Sequence, residues 1–112
     1  MVLLFEAGLR NIRAGAQSLE ENRFDQALGP LTKASDIVME LSRTLDSRKA
    51  PELCANLKDL YGFVNGRLVS AAIAHDAKAA REAERVFGPI VEGFQGAVEK
   101  LQVEGKLAKE AR

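Results

Sequence analysis

Histidine and cysteine are the side chains most often used for metal binding and nucleophilic catalysis, and this sequence holds one of each, His75 and Cys54. A single histidine cannot supply a two-histidine metal site, and the Glu-x-x-His ligand pair of metal-binding helical bundles is absent from the sequence. Cys54 has no histidine nearby in the chain to act as its base, which favours an inert, half-buried thiol. The sequence therefore predicts no metal ion and no cysteine nucleophile.

His75 has an alternative role as a phosphoryl acceptor, which would need an exposed position on a helix face with basic residues nearby. The residue stands in Ala74-His75-Asp76, where a helical pattern stops. A partial positive charge is favourable at a helix C-terminus, so we interpret His75 as a turn residue. Phosphotransfer through His75 is kept as an alternative function.

Other motifs of enzyme active sites are missing from the sequence, including a Gly-rich phosphate loop and a G-x-S-x-G elbow. Gly93-x-x-Gly96 matches the loop of one RNA-binding module, but that module needs strands around it. Gly62-x-x-x-Gly66 predicts close helix packing inside the fold. We expect no catalytic residue, no enzymatic activity and no cofactor.

Composition and charge exclude further classes of protein. The 112 residues suffice for one domain, and 46% apolar residues exceed what a disordered chain carries. The 16 basic and 16 acidic residues are spread evenly, since residues 1–56 hold seven and eight and residues 57–112 hold nine and eight. We therefore predict no nucleic-acid binding. The apolar stretches are far too short to insert in a membrane, and one cysteine without a signal peptide indicates the cytoplasm.

Apolar residues recur at spacings of three and four in four segments, which predicts four amphipathic helices. The first stripe is Phe5, Leu9, Ile12, Ala16 and Leu19. The second is Phe24, Leu28, Leu31, Val38, Leu41 and Leu45. The third, after Pro51, is Leu53, Leu57, Leu60, Val64, Leu68 and Ala71. The fourth, after Asp76 as N-cap, is Ala79, Ala83, Val86, Phe87, Ile90, Phe94, Val98 and Leu101.

Four such helices with short connections predict an all-α, antiparallel four-helix bundle. We expect residues 1–102 to form this bundle and residues 103–112 to form a polar C-terminal extension, a frayed end of the last helix. Gly29-Pro30 and Gly88-Pro89 fall inside the second and fourth helices. Since proline loses a helical hydrogen bond and crowds the preceding turn, each pair is expected to kink its helix or split it.

Several apolar residues lie outside the single stripe that a bundle core needs. They are Ile37, Met39, Tyr61, Phe63, Val69 and Ile73. Either they widen the core or they line a hydrophobic groove for a partner. The composition leaves both interpretations open.

Three blocks of the sequence carry a shared family pattern. They are residues 4–10, Leu-Phe-Glu-Ala-Gly-Leu-Arg, residues 34–46, and Ala55-Asn56-Leu57 with Leu60-Tyr61, Arg67-Leu68 and Asp76. The blocks resemble, in this order, the first-helix motif, the second helix with its exit, and the third helix with its following turn in the flagellar export chaperone FliS family, the cytoplasmic partners of flagellin. The resemblance covers roughly residues 3–94 in order.

Two features of the family are not found in this sequence. Members of the family usually begin with a tyrosine-containing segment that covers the partner site, whereas this sequence starts inside the first helix. The chain is either truncated or a divergent relative without this cap. Val98 occupies the approximate position of an aromatic residue near the end of the family's fourth helix.

The resemblance implies a chaperone that binds the disordered C-terminal segment of flagellin, prevents its premature polymerisation and assists its export, with other flagellar export proteins as further candidate partners. A segment that folds on binding can place amphipathic helices in apolar grooves. We expect such a groove between the second and third helices. Its predicted lining is Ile37, Leu41, Leu57, Tyr61, Val64 and Leu68.

Residues 22–28, Asn-Arg-Phe-Asp-Gln-Ala-Leu, also resemble the opening of a tetratricopeptide repeat, a peptide-binding module. A solenoid needs about three repeats to bury its faces, and one copy is visible in the sequence. This module remains the second alternative.

Overall fold

The computed structural model describes residues 2–45, 48 and 50–110, with side chains described for 3–45, 48 and 50–93. These residues form four α-helices and no strand: α1 (Val2–Glu20), α2 (Phe24–Arg43), α3 (Pro51–Ala74) and α4 (Ala77–Glu110). Each helix packs against the one before it, and α1 also packs against α4. The predicted all-α, antiparallel four-helix bundle is confirmed.

The turns at one end of the bundle use left-handed residues that are not glycine. Asn22 has a φ of 60° between α1 and α2, and His75 has a φ of 52° between α3 and α4. The N–H groups of His75 and Asp76 both donate to the carbonyl of Ala71, which completes the last turn of α3. The Asp76 carboxylate then accepts from the N–H groups of Lys78 and Ala79, at 3.0 and 3.3 Å, as the predicted N-cap of α4.

Both Gly-Pro pairs lie inside continuous helices, so neither α2 nor α4 is split. Pro30 and Pro89 remove the donors that would bind the carbonyls of Gln26 and Arg85. Gln26 and Arg85 are exposed, so water can satisfy the freed carbonyls. The backbone of α4 continues to Glu110, while side chains from residue 94 onward, including Phe94, Val98 and Leu101, lie outside the described set. The division at residue 102 therefore stays a prediction.

The core contains the whole predicted stripe of α1 and the described α4 residues Ala79, Ala83 and Phe87, with Val86 and Ile90 packed partly buried against it. Phe87 is fully buried at the centre, where its ring stacks on Phe5 with centroids 6.1 Å apart. No helix in the described part of the chain combines the length and the apolar character needed to cross a membrane.

The predicted stripe of α3 is wrong at two positions. Leu53 and Leu60 are 59% and 40% exposed, and Cys54 and Tyr61 occupy the core in their place. Because α3 carries apolar residues around most of its circumference, a stripe one residue away fits the spacing equally well. The α2 stripe also departs at its start, since Phe24 and Leu28 lie on the surface.

Candidate partner-binding groove

The exposed apolar surface of the bundle is concentrated on two helices. Of the nine large apolar side chains exposed among the described residues, eight belong to α2 and α3, and the ninth is Leu3 of α1. The eight are Phe24, Leu28, Met39, Leu53, Leu60, Phe63, Val69 and Ile73. Apolar surface that is concentrated in one region is typical of interaction sites in folded proteins.

Three depressions follow the line between α2 and α3, and together we call them the α2–α3 groove. The first, of about 90 Å³, lies by the turns at Phe24 and His75, and the second, of about 150 Å³, by Ser35 and Ile73. The third, of about 170 Å³, lies by Met39 and Lys58. The groove therefore runs along most of the length of both helices.

Apolar side chains of both helices form the walls of the groove. Leu28 lines the first depression, Val69 and Ile73 line the second, and Met39 lines the third. Ser35 donates a hydrogen bond to the amide oxygen of Asn65, which ties α2 to α3 at mid-groove. This bond satisfies two polar side chains within the apolar surface and fixes the spacing of the helices.

The six side chains predicted to line the groove occupy different depths in the structure. Leu41, Tyr61, Val64 and Leu68 are at most 3% exposed and belong to the core. Tyr61 and Leu68 also lie at the floor of the third and second depressions. Leu57 is partly buried against the core. The structure thus brings five of the six together on or beneath α2 and α3, and their role in binding stays a prediction.

Ile37 is on a different side of α2. A methyl group added to Gly8 of α1 would lie 3.1 Å from Cγ2 of Ile37 and 3.0 Å from the Phe87 ring. Ile37 therefore packs towards α1 and α4 rather than into the α2–α3 groove.

Sequence reasoning assigned Leu28 to the core and left Val69 and Ile73 undecided, whereas all three are exposed groove residues. The position of Val69 and Ile73 outside the predicted core stripe of α3 was the feature of the sequence that indicated their exposure. Gly62 and Gly66, predicted to pack closely inside the fold, are instead exposed, and a methyl group on either would contact nothing within 4 Å. That prediction is wrong, and Gly62 leaves open space in the third depression.

Charged side chains are distributed unevenly along the groove. Asp25 lines the first depression, Asp36 the second and Lys58 the third. None of the three forms an ion pair with another residue in the described part of the chain. The two ends of the groove consequently differ in the sign of their charge.

The opposite side of the bundle carries ion pairs between α1 and α4. We call the four residues that form them the α1–α4 seam: Arg13, Glu20, Arg81 and Glu84. Arg13 lies 2.9 Å from Glu84, while Arg81 lies 2.6 Å from Glu20 and 3.1 Å from Glu84. The hydrogen bond from Arg81 lowers the pKa of the Glu20 carboxyl. Burial raises the pKa of the Tyr61 hydroxyl on the groove side.

His75 sits in the turn that ends α3, where its ring stacks on Phe24 with centroids 4.3 Å apart. This is a turn position and not the helix face that phosphotransfer requires. Residues 22–28, which resemble a tetratricopeptide opening, form the α1–α2 turn and the start of α2. In the described part of the chain no three His, Cys, Asp or Glu side chains are placed to hold a metal ion.

Comparison with known proteins decides the family. The family model described as "Flagellar protein FliS" matches residues 1–101. The chain belongs to the FliS family. Sequence blocks that resembled this family on α1, α2 and α3 thus predicted it correctly, and the family consists of chaperones and not of enzymes.

The relatives are flagellar secretion chaperones of known sequence. The FliSB of Pseudomonas aeruginosa is 28% identical over 94 residues, which cover 84% of this chain and 75% of that protein. The FliS of Bacillus subtilis is 32% identical over 83 residues, covering 74% and 61% respectively. Through these relatives this chain is assigned to the flagellar export chaperones.

A solved structure agrees with this fold. The crystal structure of a bacterial flagellar chaperone superposes with a TM-score of 0.77, over 88% of this chain and 80% of that one. The two sequences are 19% identical, so the likeness extends to the bundle architecture alone.

Proposed function

We propose that this chain is a cytoplasmic chaperone that binds the disordered C-terminal segment of flagellin in the α2–α3 groove, prevents its premature polymerisation and assists its export. The observation that carries the proposal is the concentration of eight exposed large apolar side chains on α2 and α3, five of which line the three depressions between these helices. Membership of the FliS family supports the export role.

The physical basis of binding is apolar burial coupled to folding of the client. Burial of apolar surface contributes about 25 cal/mol per Å², whereas ordering each client residue opposes binding by about 1–2 kcal/mol. A segment with few apolar contacts would therefore not fold on the groove. An amphipathic segment meets the exposed Leu28, Val69 and Ile73 with one face and leaves its polar face in water.

The buried members of the predicted lining would act beneath this surface. Tyr61 and Leu68 form part of the groove floor, and Leu41 and Val64 hold α2 and α3 together in the core. We propose that they set the shape of the groove, while the exposed residues above them make the contacts.

Titration calorimetry with the C-terminal segment of flagellin from the same organism tests the proposal. We expect a negative heat-capacity change, and circular dichroism of the mixture should show a gain of helix. Leu28→Ser and Ile73→Ser should each weaken binding about tenfold or more, since each removes an apolar contact of the groove.

Leu3→Ser is the matched control, because Leu3 is 80% exposed and lies on α1, away from the groove. It removes a similar apolar side chain and should leave the affinity unchanged. Absence of binding by the parent chain, or equal weakening by Leu3→Ser and Ile73→Ser, would contradict the proposal.

A further inference from the structure

Three of the exposed apolar side chains lie outside the α2–α3 groove, and we call them the outer α3 stripe: Leu53, Leu60 and Phe63. They are between 40% and 59% exposed and line none of the three depressions. Spacings of seven and three residues place them on one side of α3. Arg67, four residues after Phe63, pairs with Glu82 of α4 at 3.6 Å, so this side of α3 lies towards α4 and away from α2. The proposed client site therefore leaves the outer α3 stripe uncovered.

Apolar residues surround most of the circumference of α3. The core side holds buried residues such as Tyr61 and Leu68, the α2 side carries Val69, and the outer α3 stripe occupies a third side. A helix that is apolar all round is typical of a fully buried helix. Because this bundle leaves the stripe exposed, the sequence of α3 indicates a further protein surface that packs against it.

Charged side chains flank the stripe symmetrically about Phe63. Asp59 lies four residues before Phe63 and Arg67 four residues after it, so both share the side of the helix that carries Phe63. Asp59 is exposed and forms no ion pair within the described residues. The guanidinium of Arg67 lies 5.9 Å from the centre of the Phe63 ring and pairs with Glu82. Since a guanidinium has five N–H donors, Arg67 can also bind a second carboxylate.

This arrangement of charges is self-complementary for two antiparallel copies of α3. A two-fold axis beside Phe63 sets residues that are equally far before and after Phe63 at the same level in the two copies. Asp59 of each copy then lies level with Arg67 of the other, and the two Phe63 rings meet at the axis. Parallel copies would instead bring like charges together at both positions.

Gly66 provides the space that close pairing of two helices needs. It lies three residues after Phe63, and Leu60 lies three residues before it, so the same axis sets Leu60 of one copy level with Gly66 of the other. A methyl group on Gly66 would contact nothing within 4 Å. The missing side chain lets the two backbones approach each other, and Leu60 fills the space beside it.

We infer that two copies of this chain associate through the outer α3 stripe, with their α3 helices antiparallel about a two-fold axis at Phe63. The contact joins the two Phe63 rings, packs Leu60 beside Gly66 of the other copy and forms two ion pairs between Asp59 and Arg67. None of these residues lines the α2–α3 groove, so the inference does not rest on the proposed function.

Sedimentation velocity of the full chain without a client tests the association. We expect the sedimentation coefficient to rise towards that of a dimer between about 1 µM and about 1 mM protein, the range of weak association. Phe63→Ser and Leu60→Ser each remove an apolar side chain from both copies, so each should weaken association about tenfold or more. Leu28→Ser is the matched control, because Leu28 is exposed on α2 and lines the groove, and it should leave association unchanged.

Charge exchange tests the antiparallel arrangement. Asp59→Arg and Arg67→Asp each replace two attractions by two repulsions and should weaken association about two- to tenfold. The double variant with both changes restores opposite charges at both contacts, so it should associate more tightly than either single variant. Asp36→Arg is the control for Asp59→Arg, because Asp36 is exposed on α2, and it should leave association unchanged. Circular dichroism shows whether each variant keeps its helices.

Four outcomes overturn the inference. They are a parent chain that stays monomeric over the whole concentration range, equal effects of Leu28→Ser and Phe63→Ser on association, and a double charge variant that associates no more tightly than the single ones. The fourth is weaker binding of the flagellin segment by Phe63→Ser with self-association unchanged, since the client would then be the occupant of the stripe.

Discussion

The α1–α4 seam and the α2–α3 groove are two helix junctions of one bundle, and they differ in the side chains at their surface. At the seam, Arg81 bridges Glu20 and Glu84, and Arg13 joins the same Glu84. At the groove, apolar side chains such as Leu28 and Ile73 remain exposed, and no ion pair links α2 to α3 among the described residues. The bundle thus joins α1 to α4 by ion pairs and leaves apolar side chains of α2 and α3 exposed.

The glycines of α1 and α3 also differ in how closely their surroundings are packed. A methyl group on Gly15 of α1 would lie 2.6 Å from Cδ2 of Leu31, whereas one on Gly62 or Gly66 of α3 would contact nothing within 4 Å. Glycine in α1 thus permits close packing within the bundle. In α3 it leaves backbone open to solvent, at a cost in helix propensity.

The largest expected effect comes from comparing two phenylalanines. Phe87→Ala should lower the free energy of unfolding by about 3–5 kcal/mol, because Phe87 is fully buried against Phe5. Phe63→Ala makes the same change on α3, where the ring is 48% exposed, and should cost less than about 1 kcal/mol. Urea unfolding followed by circular dichroism measures both losses of stability, and similar losses would break the contrast between the buried core and the exposed side of α3.

Substitution by alanine should change the free energy of unfolding in opposite directions at the packed glycine of α1 and the exposed glycine of α3. Gly15→Ala should destabilise the chain, because overpacking against the buried Leu31 costs about 1–3 kcal/mol. Gly62→Ala should stabilise it by about 0.5–1 kcal/mol through helix propensity alone. Thermal unfolding of both variants gives the signs directly. A stabilised Gly15→Ala variant would show that α1 and α2 can move apart without loss.

The smallest effect concerns the pH dependence of the seam. Arg81 lowers the pKa of Glu20 in the folded chain, so the contribution of this carboxylate to stability is complete above its ordinary pKa of 4.5. It is lost as the pH falls through the lowered value. The difference in stability between the parent and Glu20→Gln should therefore be constant near neutral pH and should shrink towards zero in acid. A difference that grows on acidification would refute this role of Arg81.

Sequence patterns predicted α1 almost completely and α3 only in part. In α1, Phe5, Ile12 and Leu19 belong to one apolar stripe, and all are buried. In α3 the apolar residues surround the helix, so spacing alone allowed Leu53 and Leu60 to replace Cys54 and Tyr61 in the predicted core. Ambiguity of the core stripe on α3 follows from the same excess of apolar residues that forms the groove.

The resemblance to the family predicted a groove between α2 and α3, and its role in binding stays a prediction. Four of the six residues chosen for its lining are core residues in the structure. Burial depends on how each helix is rotated against its neighbours, which a single sequence does not specify. The order Asp25, Asp36 and Lys58 along the groove likewise requires α2 and α3 to be aligned in space.

The buried thiol of Cys54 can report local opening of the bundle. The residue is 6% exposed in the first turn of α3, three residues after Pro51, and it is the single cysteine of the sequence. A thiol reagent reaches Cys54 when the start of α3 separates from the bundle, so the rate of labelling reports the opening of this segment. A client bound in the neighbouring groove should lower the rate of labelling at Cys54. The thiol would then report on binding although it takes no part in it.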